Sequence, residues 1–169
     1  MSADTRPLWQ RPEPWWLLAI VVLDQATKWL VFHRVALYES VEIVPGWLYI
    51  THVRNTGAAF GMFNTVDFVY KPLVVAVLAG LALLALVWYA RQVMHESLAT
   101  RYAFVLIIAG AIGNLIDRAT VGYVLDFVDV VFGTWHFWAF NVADAAITVG
   151  AILFFADALF NHRHVPETV

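Results

Sequence analysis

Residues 72–90 read PLVVAVLAGLALLALVWYA, a run without one charged side chain. A hydrocarbon core of ~30 Å is crossed by about 20 helical residues, so this stretch is long enough to span a bilayer. Lipid offers no partner to backbone groups, so a spanning segment has to satisfy its own hydrogen bonds as a helix. Three further stretches have comparable length. Residues 15–32 are interrupted by Asp24 and Lys28; residues 98–116 carry Arg101 near their start and Asn114 near their end; residues 138–156 hold Asn141 and Asp144 in their first turns. The expected fold is therefore an all-α membrane protein with four transmembrane helices, one integral-membrane domain over residues 1–169. Composition agrees. The chain is 62% hydrophobic and 14% charged with a mean hydropathy of +0.71, whereas soluble domains are roughly half apolar and about a quarter charged.

Several function classes fall away at once. The net charge of -3 and the lack of a basic run argue against nucleic acid as a partner. The chain has no cysteine, which excludes disulfides, a catalytic thiol and thiolate-held metals. The first fourteen residues are polar and Pro-rich, and no small-residue cleavage site follows the first apolar run. That run is expected to be a retained helix rather than a removed leader. Four spans put both termini on one side. Arg6, Arg11, Arg91, Arg101 and Arg163 then share that side, against Arg34, Arg54 and Lys71 in the opposite loops. The excess of cations favours cytoplasmic termini. Trp15, Trp16, Trp47, Trp88, Trp135 and Trp138 fall mostly near the span ends, where an interfacial aromatic belt belongs.

The connection over 33–71 is not linker-like. Residues 40–44 alternate, Pro45 and Gly46 form a turn signal, and residues 47–53 are rich in aromatic and β-branched side chains, which together predict a short β-hairpin. The hairpin leads into Arg54-Asn55-Thr56-Gly57-Ala58-Ala59-Phe60-Gly61, whose small residues allow close backbone approach. A short echo occurs at the ends of spans three and four, Asn114-x-x-Asp117 and Asn141-x-x-Asp144.

Ionisable groups within spans are costly, and each one needs a partner or a task. Asp24 and Lys28, spaced i, i+4, read as an ion pair within one helix. Asp117 stands directly before Arg118, a nearby cation. Asp126 and Asp144 differ. Asp126 lies in Val124-Leu125-Asp126-Phe127-Val128, and Asp144 in Phe140-Asn141-Val142-Ala143-Asp144-Ala145, with no basic residue near it in sequence. Two carboxyls brought together in a low-dielectric site share one proton, so that one activates water while the other polarises a carbonyl. From spacing alone, a proton relay in a transporter or plain helix capping explains the same aspartates. Asp129 reads as a solvated or pairing neighbour, and His136 as an interfacial or hydrogen-bonded histidine. No H-x-x-x-H or H-E-x-x-H spacing occurs, so no metal site is expected. None of Ser2, Ser40 and Ser97 stands in a nucleophile motif.

Five segments, in order along the chain, carry a resemblance: Leu23-Asp24-Gln25-Ala26-Thr27-Lys28, Asn55-Thr56-Gly57-Ala58-Ala59-Phe60, Gly113-Asn114-Leu115-Ile116-Asp117-Arg118, Val124-Leu125-Asp126-Phe127, and Phe140 to Ile147. The chain resembles the bacterial lipoprotein signal peptidase family (signal peptidase II). The resemblance implies an inner-membrane aspartyl peptidase with four helices and a small periplasmic β-hairpin or platform. Such an enzyme uses no cofactor and cuts prolipoproteins just before a diacylglyceryl-modified cysteine. It implies Asp126 and Asp144 as the catalytic pair, and Asn55, Gly57, Asn114, Arg118 and Asn141 as substrate contacts. Asp24, Lys28 and Asp117 take supporting positions. Membrane lipid and globomycin-type inhibitors are the further expected partners, and the expected state is a monomer in the cytoplasmic membrane with its active site near the periplasmic face.

Overall fold

The structure is a computed structural model and describes residues 10–57, 68–93 and 97–161. Residues 58–61 of the small-residue segment, like Arg6 and Arg163 in the charge comparison, lie outside the described residues. Four helices, α1 (Glu13–Arg34), α2 (Lys71–Val93), α3 (Leu98–Thr120) and α4 (Val142–Asn161), are each long and apolar enough to cross a membrane. Pro12 sits at the N-cap of α1, with Glu13 in the first turn and His33 and Arg34 in the last. Those charges complement the helix dipole at both ends. Ser97 caps α3 by accepting from the Thr100 amide at 2.9 Å.

Helix α3 is the hub, packed against α1, α2 and α4. Its buried face includes Ala103, Ala109, Gly110 and Gly113, small residues that let neighbouring backbones approach. The closest approach is to α4, where a Cβ placed on Gly110 would collide with the Ala143 carbonyl oxygen and one on Gly150 would lie 2.7 Å from the Ala103 carbonyl oxygen. Helix α2 behaves oppositely. Leu73, Val77, Leu81, Leu84 and Trp88 all stay exposed, Leu84 at 68%. This is a face for lipid tails rather than for protein.

The β structure is larger than a hairpin. Strands β1 (Ser40–Val44), β2 (Leu48–Asn55), β3 (Val124–Phe132) and β4 (Trp135–His136) form an antiparallel sheet in the order β1-β2-β3-β4. The expected hairpin is present as β1 and β2, with Gly46 at φ 74 in its turn and the Trp47 amide donating to the Val44 carbonyl. The connection before span four, expected to be a loop, instead supplies β3. The run VLDFVDVVF is dominated by β-branched and aromatic residues, which suit a pleated, half-buried surface. The sheet is fixed to the bundle by Leu125 and Phe127, which pack on Val31 and Val35 at the end of α1.

Helix α4 starts at Val142, four residues later than the sequence suggests. Trp138 and its neighbours are held outside the helix because the chain remains zipped to β3. The Val128 amide donates to the Phe140 carbonyl at 2.8 Å, and the Phe140 amide returns to Val128 at 3.1 Å. At the other hub boundary α3 runs to Thr120, so Asp117 and Arg118 belong to its last turns.

The α3–α4 contact yields a test. Gly150→Ala should destabilise the protein by roughly 1–3 kcal/mol, the usual effect of overpacking a tight contact. Gly80→Ala, on α2 with nothing within 4 Å of the added carbon, should be neutral or stabilising by up to about 1 kcal/mol through helix propensity. Unfolding of the two variants in one detergent checks the contrast.

Candidate active site

The C-terminal turns of α1 and α3, the start of α4 and the middle of the sheet meet at one end of the bundle. At their centre is Lys28, 4% exposed. Its ammonium donates to Asp24 Oδ2 at 2.8 Å, to Asp117 Oδ2 at 3.0 Å and to Asn114 Oδ1 at 2.9 Å. Three donors meet three acceptors, which is the full capacity of an ammonium group. Gln25 adds a neutral brace, its Nε2 donating to Asp24 Oδ2, the Gly113 carbonyl and Asp117 Oδ1 at 3.0–3.2 Å. The approach of α1 to α3 at this level requires Gly113, because a Cβ there would stand 2.6 Å from Asp24 Oδ2.

Both carboxylates of this cluster also hold backbone. Asp24 Oδ1 accepts from the amide of Ala143 at 2.9 Å, and Asp117 Oδ2 accepts from the amide of Leu125 at 3.3 Å. Ala143 directly precedes Asp144, and Leu125 directly precedes Asp126. The cluster therefore fixes the peptide leading into each member of the second carboxyl pair.

Asp126 and Asp144 are joined by amides. Asn141 Nδ2 donates to Asp126 Oδ1 at 2.7 Å, and Asn55 Nδ2 donates to Asp126 Oδ2 at 3.1 Å. Asn114 Nδ2 donates to Asp144 Oδ1 at 2.8 Å. Asn141 also exchanges bonds with Asp144: the Asp144 amide donates to Asn141 Oδ1 at 2.9 Å, and the Asn141 amide donates to Asp144 Oδ2 at 3.3 Å. This reciprocal pattern is a capping box, with Asn141 at the N-cap and Asp144 three residues on. Sequence spacing places Asn141 within a helix; in the structure it ends the strand-like run that includes Phe140 and opens α4. Asn141 thus caps α4 and contacts both carboxyls. Burial pushes the Asp126 carboxyl up to about 7, and the charge of Asp144 adds to the rise. The Asn55 and Asn141 amides and the Lys28 cation act in the opposite direction.

Arg118 bridges α3 to the segment after β2. Its Nη1 donates to the Asn114 carbonyl at 3.3 Å and its Nη2 to the Gly57 carbonyl at 3.2 Å, while the Gly57 amide donates to Asn55 Oδ1 at 3.1 Å. Asp117, which precedes Arg118 in sequence, finds its ion-pair partner in Lys28 instead. The i, i+4 pair of Asp24 and Lys28 is formed as expected, inside the larger cluster. Asp129 lies three residues from Asp126 on the same strand, hence on its other face, and meets His136 Nδ1 at 3.4 Å. Sequence reasoning gave Gln25 no role, although a polar side chain beside Asp24 within a span was a usable signal. Among the described residues no group of three or more His, Asp or Glu is arranged to hold a metal. Asp24, Asp117, Asp126 and Asp144 meet at one end of the bundle, while Glu13 and Asp157 are held near the other by Arg101, Ser97 and Thr100.

Fold and site together define a polytopic membrane protein with a paired-carboxyl centre between a helical bundle and a small sheet. The sequence profile of signal peptidase (SPase) II matches residues 16–160, and the chain belongs to that family. It is 43% identical to a lipoprotein signal peptidase of Symbiobacterium thermophilum, over 86% of this chain and 93% of the relative. It is 42% identical to one from Geobacter metallireducens, over 85% and 87%. A bacterial membrane enzyme solved by the in meso method at 2.3 Å superposes with a TM-score of 0.80 at 31% identity, covering 93% of each chain.

The double role of Asn141 can be separated by substitution. Asn141→Ala should lose both the cap and the amide donor, lowering stability by about 1–2 kcal/mol. Asn141→Ser restores a side-chain acceptor for the Asp144 amide, so it should recover most of that stability. It lacks the Nδ2 donor to Asp126, so the activity of this centre should stay depressed. Equal stability of the Ala and Ser variants would remove the capping role.

Proposed function

We propose that this protein is an aspartyl endopeptidase whose catalytic pair is Asp126 and Asp144, and that it cleaves prolipoproteins before a diacylglyceryl-modified cysteine. The observation that carries the reading is the amide bridge of Asn141, which holds Asp126 by its side chain and Asp144 by its capping bonds. Two carboxyls so held share a proton, and in this reading it starts on Asp126, whose carboxyl burial raises to about 7. Asp144 takes a proton from water as the water oxygen attacks the scissile carbonyl carbon. Asp126 gives its proton to the carbonyl oxygen, forming a neutral tetrahedral diol. Collapse of the diol breaks the C–N bond. A diol hydroxyl returns a proton to Asp126, and the proton on Asp144 passes to the leaving nitrogen, which becomes the amino group of the lipidated cysteine. Water is consumed, and both carboxyls end as they began.

The remaining site residues serve orientation. Asn114 fixes Asp144, and Asn55 fixes Asp126 while its own oxygen is held by Gly57. Arg118 steadies the Asn55–Gly57 backbone against α3, and its further N–H groups are donors for a substrate carbonyl. Lys28, Asp24 and Asp117 act from behind as positioning residues. The exposed apolar helix faces leave the lipid chains of the substrate in the bilayer while the scissile bond enters the polar notch. In this reading the enzyme works as a monomer in the inner membrane, with cytoplasmic termini and the notch toward the periplasm, and globomycin-type peptides compete for the notch.

The assay is gel-shift cleavage of a diacylglyceryl-modified prolipoprotein by detergent-purified protein. Asp126→Asn and Asp144→Asn should each abolish turnover, and the double variant should be little worse than either single one, because the pair acts as a unit. Asp129→Asn should retain most activity. Cleavage near wild-type rates by both single variants would exclude the pair.

A further inference from the structure

Residues 55–57 lead away from β2 and hold Asp126 through Asn55, yet burial does little to fix them: Thr56 is exposed and Asn55 is half-buried. Hydrogen bonds do this instead. Asn55 Oδ1 accepts from the Gly57 amide at 3.1 Å, and the Gly57 carbonyl accepts from Arg118 on α3 at 3.2 Å. Between those two residues, Thr56 Oγ1 accepts from Lys71 Nζ at 3.1 Å. Lys71 opens α2 and is 5% exposed. The stability of α2 does not explain a lysine there. A cation in the first turn opposes the helix dipole, and a buried ammonium gives up its hydration. The next residue, Pro72, sets the level of the helix start. A Cβ on Gly122, which lies at φ 80 in the turn between α3 and β3, would stand 3.3 Å from Pro72 Cβ. The start of α2 therefore lies against two pieces of chain that flank Asp126, the segment after β2 and the turn that enters β3.

We propose that Lys71 is a positioning residue for this site: from the start of α2 it holds Thr56, and so keeps the Asn55 amide on Asp126. Asn55 matters because its Nδ2 bond lowers the Asp126 carboxyl against the rise that burial causes. The charged groups around that carboxyl are Asp144 from α4, Lys28 from α1 and Arg118 from α3. Lys71 reaches it through Thr56 and Asn55. A lysine suits the task, since a long stem carries three N–H donors from the helix start to a neighbouring segment. Helix α2, otherwise a lipid-facing helix packed on α3, thereby has a part in the site. The effect of Lys71 on turnover rests on the reading of Asp126 as catalytic, whereas its effect on the titration of Asp126 does not.

The test is the titration midpoint of Asp126, read by carboxyl-carbon labelling of the full-length protein in micelles, beside cleavage of a lipidated prolipoprotein. Asn55→Ala should raise the midpoint by about one pH unit, the scale of one hydrogen bond to a charged group. Lys71→Met should raise it by about half a pH unit or more. Thr56→Val should do the same, and it leaves α2 untouched, so the test stands even if Lys71→Met folds poorly. The double variant should match either single one, because both break the same contact. Lys71→Arg, which keeps a donor on a long stem, should return the midpoint to its wild-type value. Cleavage should fall roughly tenfold in Lys71→Met and in Thr56→Val, and recover in Lys71→Arg. A midpoint that rises while cleavage is unchanged supports the clamp and counts against a catalytic Asp126. A midpoint unmoved in Lys71→Met and Thr56→Val, or shifts that add in the double variant, overturns the proposal.

Discussion

One buried ammonium group organises this protein. Lys28 is surrounded by the carboxylates of Asp24 and Asp117 and the amide oxygen of Asn114, and it is almost fully removed from solvent. A lone charge in that position is strongly unfavourable, and so is either carboxylate without it. The three groups come from α1 and α3, so satisfying Lys28 helps set the level at which the two helices cross. Each carboxylate then uses its remaining capacity on a backbone amide, Ala143 at the head of α4 and Leu125 in β3. Removing the cation would leave two unpaired acids in a low-dielectric core and would release the two peptides that carry Asp144 and Asp126. The Lys28 cluster and the proposed catalytic pair are therefore joined in geometry.

The sheet and the bundle depend on each other through the same few contacts. Strand β3 carries Asp126 toward the bundle while Leu125 and Phe127 pack on the end of α1. After β4 the chain returns along β3 as far as Phe140 and then turns directly into α4. Asn141 sits at that turn, and its polar contacts include both carboxyls and Asn114. Its amide has one orientation that works, since the Asp144 amide needs an acceptor and Asp126 needs a donor. A rigid junction of this kind suits chemistry in which two acids have to keep their distance through a proton cycle.

The parts of this architecture written in local sequence were legible, and the parts that depend on distant partners were not. The charge-free run of α2 announces a span by itself, Pro45 and Gly46 mark the hairpin, and the i, i+4 spacing of Asp24 and Lys28 gives their pairing. The partner of Asp117 was misleading, because the adjacent Arg118 hides a lysine on another helix. Strand β3 was missed although its β-branched run is plain, because its pairing partner β2 lies about seventy residues earlier, as the Asn55–Asp126 contact shows. The start of α4 was set four residues too early because apolar periodicity does not register that Phe140 is already bonded to Val128. Asp126, Asp144, Asn55, Asn114 and Asn141 could be singled out as residues, but the bridge that joins them exists only in three dimensions.

The central claim is that Asp126 and Asp144 form one proton-sharing unit, and it is tested most directly by titrating Asp126 itself. Carboxyl-carbon labelling of aspartate in the micellar protein, with Asp126 assigned by substitution, gives its protonation state against pH. In the wild type Asp126 should titrate at about 7, well above the ordinary 3.8. Because its folded value is raised, the stability tied to this proton is full below pH 3.8 and is lost as pH rises through about 7. In Asp144→Asn the neighbouring charge is gone, so the Asp126 midpoint should fall, though burial should hold it above the ordinary value. A pair in which both carboxyls titrate near 4 in the wild type, or an Asp126 midpoint that does not move in Asp144→Asn, would contradict the shared proton.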